Sequence, residues 1–358
     1  MKKLVLYQLL NLWLLIQLLL IYLLARHPQT VEKYYSNFFY IGISKFLRFI
    51  FGWIPFSVGD VLIAILIGMA IYKLIKIIRQ KPKISLYGLF KYMAILSVIY
   101  FIFNIMWGLN YYRQSFEEKL GLTKDSITIF DLELLANKMI DRTKSIQLEL
   151  VENDSIPVNI PYNHSHIARF TTEAYKQNRF KNYRDILTRV SSKKSLFSLP
   201  LSYMGFAGYL NPITGEAQLN SKIPNVIQPA VSCHETAHQL GIASEDEASF
   251  LGFMVAAHSD NLHFKYSAYF YALQRILQAI YLRDEAKFEA IIATLPEGIK
   301  KNMANVKSFW LSYKNPTRPV FNIIYDTFLK ANRQKEGLKS YSKVVDLLVA
   351  YNQKYGGI

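Results

Sequence analysis

The sequence predicts a mainly α-helical protein: N-terminal transmembrane helices followed by a mostly helical α+β domain with a small β-sheet or hairpin. Three observations predict it. Long apolar runs are confined to the chain before residue 111, the remainder carries apolar residues at helical spacing, and one short stretch around residue 210 alternates as a strand does. With 358 residues, 51% hydrophobic and 15% aromatic, the chain has ample material for a core. Its single cysteine, Cys233, excludes an internal disulfide.

The first run, residues 4–25, contains no charged side chain and suffices to cross about 30 Å of hydrocarbon. Lys2 and Lys3 resemble the basic start of a signal peptide. The apolar part exceeds the roughly 7 to 15 residues of such a segment, however, and Leu23-Leu-Ala25 lacks a small-x-small cleavage pattern, so an anchor is expected. The second run, residues 57–78, tolerates Asp60 and Lys73 because both lie near its ends. A third covers residues 91–110, so residues 1–110 form a membrane region and residues 111–358 an outer domain.

Orientation follows from basic residues. Lys73, Lys76, Arg79, Lys81 and Lys83 make the densest tract beside any span, which places that connection in the cytoplasm and the domain beyond residue 110 outside. Between the first two runs, the aromatic section 38–51 is expected to lie along the membrane surface or to pack on the spans. Asn110, Tyr111, Tyr112 and Arg113, at the membrane exit, read as an interfacial belt. The net charge of +16 is spread without an arginine-rich arm or a nucleic-acid motif, so anionic lipid is the expected partner and nucleic acid is not.

In the outer domain, residues 126–153 and 171–190 read as helices. Residues 199–210 alternate aromatic and glycine residues, break at Asn211-Pro-Ile-Thr-Gly215 and resume at 216–220, which predicts a hairpin with Pro212 and Gly215 at its turn. A helix opening near Ala230 is followed by others at about 245–259, 266–282, 285–292, 319–331 and 344–351.

The chemistry concentrates in His234-Glu-Thr-Ala-His238. Residues four apart on a helix share a face, so both imidazoles project together with Glu235 at the edge of that face. This is the arrangement in which two neutral histidines bind one zinc ion and the carboxylate handles the proton of a water. Gly241 is placed to end that helix in a left-handed turn, and Ser244 with Glu247 has the form of a capping box that starts the next. Glu245 is then the expected third ligand, with Glu247 the alternative. The competing readings are a pair of core histidines bonded to backbone or carboxylate, and a structural metal that would leave Glu235 without a task.

Several stretches resemble the uncharacterised bacterial membrane family known as domain of unknown function 3810. They are Trp107-Gly-Leu-Asn-Tyr-Tyr-Arg113, Asn211-Pro-Ile-Thr-Gly-Glu-Ala217, the section 234–250, Phe328-Leu-Lys-Ala-Asn332 and Gly337-Leu-Lys-Ser-Tyr341. The resemblance implies a bacterial cytoplasmic membrane protein with its HExxH domain on the periplasmic or outer face. More broadly, the chain is similar to zincins of the gluzincin type, in which a glutamate on the following helix completes the ligand set. Glu245-Asp-Glu-Ala-Ser249 matches that pattern except at Ser249, where an acid or amide is usual.

These resemblances imply a zincin-like domain with His234, His238 and Glu245 on one zinc ion and Glu235 as general base. The activity expected from the chemistry is hydrolysis of a peptide or protein substrate; a noncatalytic zincin-like binding or assembly protein is the alternative. Tyr209, Glu216, His258, His263 and Tyr266, with Tyr269, are the candidates for substrate contact or transition-state stabilisation. Residues 208–217 are the candidate peptide-pairing edge, with a purely structural hairpin as the other reading.

Overall fold

A computed structural model describes residues 2–80, 85–122, 127–177 and 190–358. Three helices, Lys2–Leu24, Val58–Gln80 and Leu86–Met106, are long and apolar enough to cross a membrane and are termed spans 1, 2 and 3. Spans 1 and 3 run parallel, joined by polar groups in an apolar setting. Gln17 Nε2 donates to Ser97 Oγ at 3.1 Å, Ser97 Oγ to the Leu10 carbonyl at 2.7 Å, and Asn11 Nδ2 to the Phe90 carbonyl at 3.2 Å. Span 2 must return between them, so the segment before Val58 and the domain after Met106 share one side.

Span 3 starts earlier than expected because Ser85 Oγ caps it, accepting from the Gly88 amide. It stops at Met106, and the chain tightens into the 3-10 turn Gly108–Tyr112. Between spans 1 and 2, a π-helical stretch, Val31–Phe39, leads into the helix Tyr40–Phe51. One face of this pair is buried through Tyr35, Tyr40, Ser44 and Arg48, while Phe38, Phe46 and Phe49 are exposed. The section therefore packs inward, on span 3 through Tyr35 and on the domain after it through Ser44, and shows an aromatic face outward.

The domain after span 3 is mainly helical. Ile129–Val151, started by a capping box between Thr128 and Asp131, packs along Leu262–Tyr281. Against these lie two short-linked helices, Gln228–Gln239 and Glu245–Ala257, buried on nearly every side. The expected helix at 171–190 is instead His164–Gln177, and residues 178–189 lie outside the described residues. Glu297–Ser312 is helical where no helix was anticipated. Its first turn contains Gly298, whose Cα packs so tightly on Gln147 that a Cβ would come within 2.0 Å of Nε2.

The sheet has strand order β1-β3-β2. β2, Gly208–Asn211, and β3, Glu216–Leu219, form the expected antiparallel hairpin, with Tyr209 opposite Gln218 and Gly215 left-handed in the turn at φ +64°. The hairpin is shorter than the alternation suggested, because Ser198–Met204 is a helix that ends at a left-handed Gly205. β1, Ser192–Lys194, adds in parallel to β3; three polar residues carry no strand signal in the sequence.

Candidate metal centre

The helix Gln228–Gln239 begins with Pro229 in its first turn and ends where Gly241 turns left-handed at φ +81°. His234 and His238 lie one turn apart with ring centroids 4.8 Å apart. The next helix starts at Glu245 and folds back across the first, bringing Glu245 Oε2 to 3.2 Å from His234 Nε2 and 3.5 Å from His238 Nε2. Ligand atoms of these three residues all lie within 4.8 Å of one another. Two imidazoles and a carboxylate with one side left open make a donor set suited to zinc.

The imidazoles are aimed from behind. His238 Nδ1 donates to the Ile242 carbonyl at 2.6 Å, which fixes its proton on that nitrogen and leaves Nε2 as the lone-pair donor. His234 Nδ1 meets Ser249 Oγ at 3.1 Å, and that contact holds the ring. Tyr325 Oη donates to Glu245 Oε1 at 2.9 Å, leaving Oε2 without a hydrogen-bond partner among the described residues. Glu235 Oε2 is likewise buried without one. Such oxygens are costly unless positive charge approaches them; a protonated His238 supplies it to Glu245 in the metal-free protein, and a divalent cation would take its place, so the residues present fit one.

Electrostatics follow the geometry. Burial raises the Glu235 carboxyl to about 8, against a small opposing pull from His238. Burial also works to depress His238, but the Glu245 carboxylate outweighs it and lifts the imidazole to about 9. For His234 burial wins, and its pKa is lowered. Glu245 resists its own burial through His238 and is held well below the usual carboxylate range.

The end of the histidine-bearing helix is capped from the membrane-proximal segment. Ser44 Oγ donates to the Gln239 carbonyl at 2.6 Å, Tyr40 Oη to the His238 carbonyl at 3.4 Å, and Arg113 Nη1 to the Gly241 carbonyl at 2.7 Å. Arg113 is itself held by Glu32, with Nε and Nη2 each at 2.7 Å from a carboxylate oxygen. Trp107 lies edge-on to His238 with ring centroids 5.9 Å apart. Asn110 and Arg113 are therefore buried behind the centre, where an interfacial belt was expected. The signal that could have found Tyr40, Ser44 and Arg48 is their recurrence every fourth residue through an otherwise apolar, aromatic segment.

The other candidates separate. Glu247 Oε1 accepts from the Phe116 amide at 2.7 Å and takes no part in the cluster. Nor does it cap its helix: Ser244 makes no capping bond to the backbone and turns to Asp246, so the expected capping box is not formed. Glu216 caps span 2, accepting from the Gly59 amide at 2.7 Å and the Val58 amide at 3.3 Å. Tyr209 lines the cavity beside the centre, but its hydroxyl is committed to Asp60, which also accepts from Ser195 Oγ at 2.9 Å and the Leu196 amide at 2.6 Å.

His258 bonds the Met254 carbonyl at 2.8 Å, His263 pairs with Tyr162 Oη at 3.1 Å, and Tyr266 donates to Asn302 Oδ1 at 2.9 Å in the core. None of these three lines either cavity at the centre, nor does Tyr269, whose ring packs on Phe253. The polar side chains that do border it, Tyr271, Arg275 and Tyr325, were not singled out by sequence, because they sit on helices whose approach to the centre is long-range.

Three apolar helices fit a membrane-associated protein, and the mainly helical domain that follows them carries a His-His-Glu candidate metal centre. A model of the family described as proteins of unknown function, DUF3810, matches residues 35–349, and the chain belongs to that family. No curated protein and no solved structure matches the chain.

Proposed function

We propose that this protein is a membrane-anchored zinc-dependent metallopeptidase with a zincin-like site, embedded in the bacterial cytoplasmic membrane with its domain facing the periplasm or cell exterior. The observation that carries the reading is the convergence of His234, His238 and Glu245 on one point, with Glu235 buried beside them and one of its oxygens uncommitted. When bound, zinc supplies Lewis acidity that acidifies water and polarises a carbonyl. His234 and His238 present Nε2 because Ser249 and Ile242 hold their Nδ1 atoms. Tyr325 steadies the Glu245 carboxylate.

Glu235 takes the proton of the attacking water and delivers it to the leaving amine. Without metal, burial raises its carboxyl to about 8, and a cation beside it would draw it back toward the carboxylate that accepts a proton. Gly208, at the start of β2, lies so close that a Cβ there would come within 2.6 Å of Glu235 Oε1. β2 is an edge strand, so its outer backbone groups are placed to align an extended peptide across the base. Lipid surrounds the spans and the exposed aromatic face of 38–49.

The deciding experiment compares wild-type protein with Glu235→Gln, both purified in detergent and loaded with zinc, on a peptide library. The variant is expected to keep one zinc per chain and to lose about 10²–10⁴-fold in kcat. Full activity in Glu235→Gln removes it as the base, and a folded wild type that takes up no zinc removes the metal reading altogether.

A further inference from the structure

Two cavities meet at the centre. One, about 460 Å³, has a mixed lining whose polar side chains include Tyr271, Gln274, Arg275, Gln278 and Asn322. The other, about 570 Å³, is apolar and walled by Ile63 and Ile67 of span 2, Phe103 of span 3, and Trp107, Tyr111 and Phe328. Both are bordered by Met204, Phe206, Gly208, His234 and Glu235, so the candidate base stands where a cavity of mixed lining and an apolar one join.

The apolar space faces the bilayer. Ile67 lies nine residues beyond Val58, about 14 Å along the span at 1.5 Å per residue, at a depth where hydrocarbon surrounds the helix. Spans 1 and 3 pack together, whereas in span 2 only Gly59 and Asp60, at its outer end, are buried. Span 2 is held instead by the domain after span 3, through Glu216 at its first amides and Asp60 on Ser195 and Leu196. The gap between span 2 and the other two is thus a lateral opening from the membrane that leads to Glu235.

Resting on the peptidase reading, we propose that the centre receives its polypeptide from the bilayer: a membrane-anchored chain enters between spans 2 and 3. Its apolar segment occupies the larger cavity. The backbone emerging from hydrocarbon pairs with edge strand β2, and the water-side residues lie in the cavity of mixed lining. A lipid would fill the apolar space and leave both the strand edge and the mixed cavity without a role; a water-soluble peptide would leave the apolar cavity to lipid. The cut is simple hydrolysis: the C–N bond breaks, water supplies hydroxyl to the carbonyl carbon, and its proton passes through Glu235 to the amine. One product stays in the membrane.

The test uses full-length Glu235→Gln protein with zinc in phospholipid nanodiscs. The probe is a synthetic peptide with about 20 Leu/Ala residues as anchor, a polar extension, and a photo-crosslinker at their junction. Crosslinks mapping to Met204, Phe103 or Ile67, and a yield that falls about fivefold or more in Ile63→Trp or Ile67→Trp protein, support the proposal. Wild type should also cleave the anchored peptide about tenfold or more faster in kcat/KM than the same extension without anchor.

Equal cleavage of both forms with no crosslinks at the cavity overturns it, as does a cavity that labels with a photoactivatable phospholipid and is not cleared by the peptide. Crosslinks at the cavity with neither peptide cut by wild type support entry from the bilayer and sink the peptidase reading instead.

Discussion

At the scale of residues, the candidate centre is arranged by groups that hold His234, His238 and Glu245 from behind. The Ile242 carbonyl and Ser249 hydroxyl decide which imidazole nitrogen faces Glu245. Glu245 and Glu247 differ by two positions, and only the hydrogen bond from the Phe116 amide shows why the second is spent elsewhere. The charge balance also makes a prediction. Without metal, Glu245 raises His238 to about 9, so over neutral pH that imidazole carries a proton which a cation must displace. Binding therefore releases one proton below that pKa, and apparent zinc affinity should rise about tenfold per pH unit between roughly pH 6 and 8, levelling above pH 9. Competition with a fluorescent chelator reads this slope; a flat profile would show that His238 is already neutral.

At the scale of elements, helices with a continuous apolar face were legible. Ile129–Val151, Glu245–Ala257 and Leu262–Tyr281 fall close to their expected positions because a local 3.6-residue period is enough to define them. Ser198–Met204 is helical where the alternation predicts extended chain, since seven residues with Pro200 inside and Gly205 behind carry no usable period. Crossing of the two site helices depends on Gly252, where a Cβ would come within 2.8 Å of the His234 amide nitrogen and 3.0 Å of its Cα. These are backbone atoms that cannot swing aside. Gly252→Ala is expected to part the helices, carry Glu245 away from the histidines and weaken zinc affinity about 10- to 100-fold, as disturbed supporting contacts do. Unchanged zinc stoichiometry and affinity in that variant would mean the helices adjust elsewhere.

At the scale of the whole molecule, the membrane segment and the domain after span 3 are interlocked. The segment before span 2 caps the histidine-bearing helix, and β3 caps span 2 through Glu216. Replacing Glu216 with Ala leaves the Gly59 and Val58 amides without their acceptor at a buried helix start. It should cost about 1–3 kcal/mol, read as a lower Tm in detergent and earlier proteolysis between spans 1 and 2. A wild-type unfolding profile would mean span 2 docks by other contacts. Topology is testable as well: alkaline phosphatase fused after Ile358 should be active and fused after Arg79 inactive, and the reverse pattern would invert the orientation.

The sequence by itself determined what a single turn or a single apolar run can encode. The spans, the HExxH pair, the left-handed Gly241 and the hairpin between Asn211 and Glu216 all arise from residues within a few positions of one another. Tertiary structure alone decided which glutamate faces the histidines, that Glu216 and Tyr209 serve span 2, and that Tyr40, Ser44 and Arg113 finish the histidine-bearing helix. Those pairings join residues up to about 200 positions apart, as Tyr40 and His238 do. They depend on where packed helices bring buried donors and acceptors, and no local period records that.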